Sequence, residues 1–131
     1  MRGILTALAL AFSAAAADAQ VVNLVCAGSM DQYEPTRIEG KVGPAATTVD
    51  LGNKTINTPM GSYTLRRVEE NTISFDGRMK ELVVFGTLDR MTGRMTVFWR
   101  SAEEERKLQA GQTSKMAMYA ELTCSASKRL F

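Results

Sequence analysis

The sequence predicts an all-β protein, a small antiparallel β-barrel or tight β-sandwich of about eight short strands. Three observations lead to this expectation. Apolar and polar residues alternate with a period of two along most of the chain after residue 20. Turn-forming residues separate the alternating segments. The first and last of these segments each carry one of the two cysteines, which suggests a sheet curled round on itself.

The alternation also assigns faces to the two terminal strands. Cys26 falls on the same face as Leu24, and Cys124 falls on the same face as Leu122. Both sulfur atoms are therefore expected in the core. The segments predicted as strands are residues 21–28, 36–43, 47–51, 54–57, 63–68, 71–75, 82–88, 95–99 and 117–124.

The clearest hairpin joins residues 82–88 to residues 95–99. Asp89 and Thr92 favour turn positions through local side-chain hydrogen bonds, and Gly93 can adopt the left-handed conformation that completes a type I turn with a bulge. Further turns are predicted at residues 43–44, 69–71 and 76–77. The Gly43-Pro44 pair is expected to end the second strand.

Residues 101–112 depart from the strand pattern. They are rich in helix formers, with Glu103 and Lys107 spaced for a helical ion pair and Gly111 placed to stop a helix. Leu108 is the one large apolar residue, so the segment has no core face. We interpret it as a solvated connection with one or two helical turns.

The first nineteen residues have the features of a secretory signal peptide. Arg2 precedes an apolar run over residues 4–17, and the small-x-small triplet at 17–19 predicts cleavage before Gln20. Residues 15–17 form a competing site. The run is short for a membrane-spanning helix, which needs about 20 residues. We expect a signal peptide over residues 1–19, a single β domain over 20–131, and a periplasmic or secreted protein.

The chain has two cysteines, and an oxidising compartment favours a disulfide between Cys26 and Cys124. The alternative is two separate buried thiols. A bridge would close a loop that spans nearly the whole domain. In the chain-entropy description such a loop of about 100 residues contributes on the order of 4–5 kcal/mol to stability.

Composition excludes several function classes. The chain has no histidine, which removes histidine-based acid–base catalysis, Ser–His and Cys–His nucleophile pairs, and histidine-ligated metals. With 16 basic and 14 acidic residues, the formal net charge is +2. That balance disfavours a nucleic-acid partner. The carboxylates fall mostly at turns or outward positions, so no paired-carboxylate site is expected. We predict no enzyme activity and no cofactor.

Methionine suggests one metal hypothesis. Thioether sulfurs bind Cu(I), and gap filling in a small core is the simpler role for methionine. We therefore predict no metal site. The methionines considered for such a cluster are Met91, Met95, Met116 and Met118.

A candidate binding patch lies on the outward faces of the central hairpin. With Leu82, Val84 and Leu88 facing the core, Val83 and Phe85 face outward. Phe98 joins them across the hairpin, because Trp99 beside it faces inward. This patch has three interpretations: a satellite core covered by residues 101–112, the lining of a ligand cavity, or a surface that binds a partner.

Three phrases of the chain resemble small exported bacterial proteins of uncharacterised function. They cover both ends of the mature chain and the central hairpin, and the resemblance implies no particular activity. The phrases are Leu-Val-Cys-Ala-Gly at 24–28, Gly-Thr-Leu-Asp-Arg-Met-Thr-Gly at 86–93, and Tyr-Ala-Glu-Leu-Thr-Cys at 119–124 followed by Lys-Arg-Leu-Phe at 128–131.

The chain is also similar to periplasmic lysozyme inhibitors in size, export, expected barrel shape and terminal cysteine pair. The inhibitory loop of that family carries a Ser-Gly-x-x-Tyr element. The nearest element here departs from it and consists of Met60, Gly61, Ser62 and Tyr63. The resemblance implies a candidate interaction loop at these four residues.

Two function classes follow. The first is an exported, non-enzymatic binding module for a small apolar molecule or a protein surface. The alternative is a periplasmic inhibitor of lysozyme or another hydrolase, which would present a protruding loop near residues 60–63 or 101–112. Neither class requires a nucleic acid or a transmembrane segment in the mature chain.

Overall fold

The structure, a computed structural model, describes residues 20–127. The predicted signal peptide and residues 128–131 lie outside the described residues. Eight antiparallel strands pair in chain order and close into a barrel, which confirms the barrel rather than the sandwich. The strands are β1 (Val21–Gln32), β2 (Ile38–Asp50), β3 (Thr55–Thr58), β4 (Gly61–Val68), β5 (Thr72–Met79), β6 (Leu82–Asp89), β7 (Arg94–Ser101) and β8 (Met118–Ala126).

The barrel closes between its first and last strands. β1 pairs with β8 as well as with β2, and Cys26 lies directly opposite Cys124 in the β1–β8 ladder. The two residues form the predicted disulfide, and both side chains are buried. The bridge therefore joins the two strands whose pairing removes the free edges of the sheet.

Alternate residues of every strand fill the interior, as expected for a barrel of this strand number. Trp99, Phe75 and Val97 are among the fully buried side chains. Phe75 needs a glycine on the neighbouring strand, because a Cβ at Gly86 would lie 2.1 Å from its Cζ. Close packing across β5 and β6 thus depends on one residue without a side chain.

Two predicted turns are wrong. β2 continues through Gly43-Pro44, where a register shift against β1 and a φ of 71° at Gly43 absorb the irregularity without ending the strand. Gly77 lies inside β5, and a Cβ there would be 2.8 Å from the Tyr63 ring. Gly77 therefore serves close packing rather than a turn.

Helix α1 (Ala102–Gln109) follows β7 directly and has no buried residue, as predicted for the 101–112 segment. The Ser101 hydroxyl caps it by accepting a hydrogen bond from the Glu104 N–H at 3.2 Å. Lys107 pairs with Glu104 at 3.1 Å rather than with Glu103. Within residues 20–127, no helix is both long and apolar enough to cross a membrane.

Candidate functional site: two open ends of the barrel

The barrel has a cavity at each end, and the fully buried middle layer lies between them. We call the cavity at the β6–β7 hairpin end the lower mouth and the cavity at the opposite end the upper cleft. The lower mouth has a volume of about 340 Å³ and the upper cleft about 480 Å³. Both volumes lie in the range of small-molecule sites, about 300–1,000 Å³.

Aliphatic side chains form the wall of the lower mouth, and the β6–β7 hairpin and the end of β8 form its rim. The rim is partly apolar and accessible, since Val22 is 40% exposed and Met91 77% exposed. Aliphatic surface of this kind gains free energy when a ligand removes it from water. The lining consists of Val22, Leu24, Val49, Leu51, Ile73, Leu88, Asp89, Arg90, Met91, Thr92, Gly93, Cys124, Ser125 and Ala126.

The predicted turn chemistry of the hairpin is confirmed. The Asp89 carboxylate accepts hydrogen bonds from the backbone N–H groups of Met91 at 2.8 Å and Thr92 at 3.1 Å. Gly93 adopts the left-handed conformation with a φ of 78°. The two N–H groups, with Thr92 the larger contributor, hold the pKa of Asp89 below its usual value. The carboxylate therefore stays ionised and braces the turn at neutral pH.

Neighbouring strands hold the hairpin on both sides. The Cys124 N–H donates to the Gly93 carbonyl at 2.7 Å, which ties the turn to β8. Arg90 ties it to the β4–β5 turn, because its guanidinium donates to the Glu69 carbonyl at 2.7 Å and its backbone N–H to the Asn71 carbonyl at 2.8 Å. The rim of the lower mouth is consequently preorganised.

The upper cleft opens where β2 parts from β3. The β2–β3 ladder runs only from Thr48 to Asp50 on β2, so the upper half of that strand pairs with β1 alone in the described part of the chain. Four of the chain's eight methionines surround the resulting gap. The lining consists of Met30, Lys41, Val42, Gly43, Ala45, Pro59, Met60, Met79, Trp99 and Met118.

Trp99 and Tyr63 lie together beneath this cleft. The Tyr63 hydroxyl donates to the Met60 carbonyl at 3.0 Å. Burial raises the pKa of Tyr63, and the nearby indole N–H of Trp99 opposes that rise. The indole N–H makes no hydrogen bond of normal distance and angle, although Trp99 is fully buried. The wall of the upper cleft thus contains a polar N–H group without a proper partner.

The predicted outward patch is partly assembled. Phe85 and Phe98 are direct cross-strand neighbours, whereas Val83 lies opposite Arg100. The hollow between the two phenylalanines holds only about 160 Å³, and no helix α1 residue lines it. Arginine side chains cover the rings instead: the Arg100 guanidinium lies 5.5 Å from the Phe98 centroid. Any binding role for this patch stays a prediction.

The 60–63 element is not a protruding loop, because Met60 ends the tight β3–β4 turn and the next three residues begin β4. Met60 is half-buried, Gly61 and Ser62 are exposed, and Tyr63 points into the barrel with 5% of its surface exposed. Tyr63 is therefore not available on the surface to enter the active site of another protein. The other proposed loop, residues 101–112, contains helix α1.

The four methionines considered above as a Cu(I) cluster lie in different parts of the barrel. Met95 is fully buried, Met91 lies exposed on the hairpin, and Met116 lines a separate hollow beside Glu104. Met118 alone belongs to the upper cleft. No group of three or more histidine, cysteine, aspartate or glutamate residues within the described chain could hold a metal ion.

Comparison of the chain with protein-family models, curated proteins and solved structures finds no match.

Sequence reasoning missed both cavities as sites. The lower mouth had a partial signal in the predicted hairpin and in the inward faces of its strands. The upper cleft had none, because Met30, Met60 and Met79 lie far apart in the sequence and are separated by turns.

Proposed function

We propose that this protein is an exported, non-enzymatic binding module that holds a small apolar molecule in the lower mouth. The observation that carries the proposal is an aliphatic cavity of about 340 Å³ that opens through an exposed apolar rim. Eight-stranded barrels are wide enough to hold one small ligand between their inner side chains.

The wall chemistry favours a compact and largely apolar ligand. Six aliphatic side chains supply the contact surface, and about 25 cal/mol of stabilisation accompanies each Å² of apolar surface removed from water. The polar groups belong to the hairpin, where Asp89 and Arg90 already bind the backbone. They can orient a ligand at the rim, while the volume suits a compact molecule rather than a long chain.

The disulfide supports an exported location. Bridges such as Cys26–Cys124 persist in oxidising compartments, including the periplasm and the extracellular space. The predicted signal peptide points to the same place. Both support a ligand that belongs to the cell envelope or its surroundings.

The test uses protein expressed with its own N-terminal segment and purified from the periplasmic fraction. The neutral probe N-phenyl-1-naphthylamine is titrated, and its fluorescence reports transfer into an apolar site. We expect saturable binding that Val22→Trp weakens at least tenfold by filling the mouth. Val21→Trp is the matched control, because Val21 is similarly exposed at 49% but does not line the cavity.

Equal affinities of the two tryptophan variants would contradict the assignment to the lower mouth. A wild-type protein that does not bind the probe would contradict the proposed function. Native mass spectrometry of the untreated protein then identifies any co-purifying molecule by mass.

A further inference from the structure

The upper cleft differs from the lower mouth in its lining and lies at the other end of the barrel, so it can be considered independently of the function proposed for the lower mouth. Four methionine side chains from different parts of the sequence converge there. Met30 comes from β1, Met60 from the β3–β4 turn, Met79 from the end of β5 and Met118 from the start of β8. All four are half-buried and pack against the core.

Strand register brings two of these methionines together with the tryptophan. Met118 lies directly opposite Trp99 across the β7–β8 ladder. On the other side, Met30 lies opposite Ala120 on β8, two residues along from Met118 on the same inward face. Met30 and Met118 are therefore diagonal neighbours, which long side chains can bridge.

Hydrogen bonds hold the third methionine at the opposite side of the cleft. The Met60 N–H donates to the Thr58 hydroxyl at 3.1 Å, and its carbonyl accepts from the Tyr63 hydroxyl at 3.0 Å. These two hydrogen bonds hold the backbone of Met60, and its unbranched side chain has three rotatable bonds. Flexible thioethers can adjust to a ligand without moving the strands.

We propose that the upper cleft binds a soft monovalent metal ion, Cu(I) in the cell envelope, through the thioethers of Met30, Met60 and Met118, with Met79 at the rim. Thioether sulfur selects soft metals such as Cu(I), whereas hard divalent ions require oxygen ligands. The lining contains no carboxylate side chain, and its one charged residue, Lys41, is exposed, so its ammonium group can extend into solvent. The Trp99 ring, part of the same wall, can add a cation–π contribution.

The composition of the chain leaves few competing soft ligands and one tryptophan. There is no histidine, and both cysteines are in the disulfide, so the methionines are the remaining soft ligands. Trp99 is the sole tryptophan and lines the cleft. Its fluorescence therefore reports changes around the cleft without a contribution from any other tryptophan.

The experiment titrates the oxidised protein with Ag(I), a probe that is not reduced or oxidised under these conditions, in chloride-free buffer. We expect saturable quenching of Trp99 at one equivalent. The double variant Met30→Leu/Met118→Leu should bind Ag(I) at least tenfold more weakly. Met91→Leu, an exposed methionine of the lower rim, is the matched control and should bind like the wild type.

Leucine conserves the volume of methionine, so these variants should fold, and an unchanged Trp99 emission maximum checks it. Three results would overturn the proposal: no saturable quenching in the wild type, wild-type affinity in the double variant, or an equal loss in Met91→Leu. Each result leaves the apolar-probe assay of the lower mouth unaffected.

Discussion

The two ends of the barrel are both apolar, yet they are built in different ways. The lower mouth combines aliphatic side chains, several of them β-branched and stiff, with a hairpin bound on both sides. The upper cleft combines unbranched methionines with a strand, β2, that lacks a β3 partner above Thr48. The first arrangement preserves one shape, and the second contains side chains that can change conformation without moving the strands. Two cavities of similar hydrophobicity therefore differ in rigidity.

The largest expected effect comes from removing the disulfide that lies beside the lower mouth. Replacing both Cys26 and Cys124 with alanine should lower the free energy of unfolding by about 2–5 kcal/mol, measured by urea denaturation. Hydrogen exchange should accelerate more around Leu24, at the lower end, than around Met30, at the upper end. An unchanged urea midpoint would show that the disulfide does not stabilise the barrel. Equal acceleration of hydrogen exchange at Leu24 and Met30 would contradict the difference in rigidity between the two ends.

Two glycines with the same backbone conformation are expected to have smaller effects on stability, and their environments differ in one defined way. Gly93 in the lower hairpin and Gly111 after helix α1 both have a φ of 78°. A Cβ at Gly93 would lie 2.1 Å from the Cys124 carbonyl oxygen, whereas a Cβ at Gly111 meets nothing within 4 Å. We expect Gly111→Ala to cost about 1 kcal/mol from backbone strain alone and Gly93→Ala about 2–3 kcal/mol.

Thermal denaturation of the two alanine variants measures this difference. Only Gly93→Ala should also weaken binding of the apolar probe, because only that glycine shapes the lower mouth. Equal losses of stability would mean that the hairpin can shift away from Cys124 and is not rigidly held.

The smallest expected effect is a pH dependence at the lower mouth. Hydrogen bonds from Thr92 and Met91 lower the pKa of Asp89 below its ordinary value of 3.8. The stabilisation is therefore complete above that ordinary value and is lost as the pH falls through the lowered pKa. Apolar-probe binding should weaken over this acidic range.

Asp89→Asn keeps an oxygen that accepts the same hydrogen bonds but does not titrate. This variant should therefore lose less of its affinity for the apolar probe at acidic pH than the wild type. Glu104→Gln is the control, since the pKa of Glu104 is also lowered but the residue lies on helix α1. If the acid-induced loss of probe binding persisted in Asp89→Asn and disappeared in Glu104→Gln, then Glu104 and not Asp89 would be responsible for the pH dependence.

Much of the fold could be predicted from local pattern. Period-two alternation predicted the inward faces of Ile73, Phe75 and Trp99, and turn chemistry predicted the Asp89–Gly93 hairpin. The roles of Gly43 and Gly77 could not be predicted from local pattern, although each glycine stands in a turn-like sequence. Gly43 lies where β2 shifts its register against β1, and Gly77 leaves space for the ring of Tyr63.

The candidate sites were less predictable than the strands. Phe85 and Phe98 were correctly expected side by side, since a hairpin relates them through few residues. The hairpin at the lower mouth could be predicted, whereas the upper cleft depends on a gap between distant strands and has no local signal. Proximity in the sequence is likewise a poor guide to the cluster, because Met91 and Met95 do not belong to it and Met116 does not line the cleft that Met118 lines.

Local sequence pattern was sufficient to predict most of the strands, their inward faces and the only disulfide that two cysteines can form within one chain, Cys26–Cys124. These features depend on short-range periodicity and on the fact that two cysteines can pair in only one way. The tertiary structure alone decided that β2 leaves β3 at Thr48 and that four separated methionines meet beside Trp99. Those features depend on how barrel closure positions strands that are far apart along the chain.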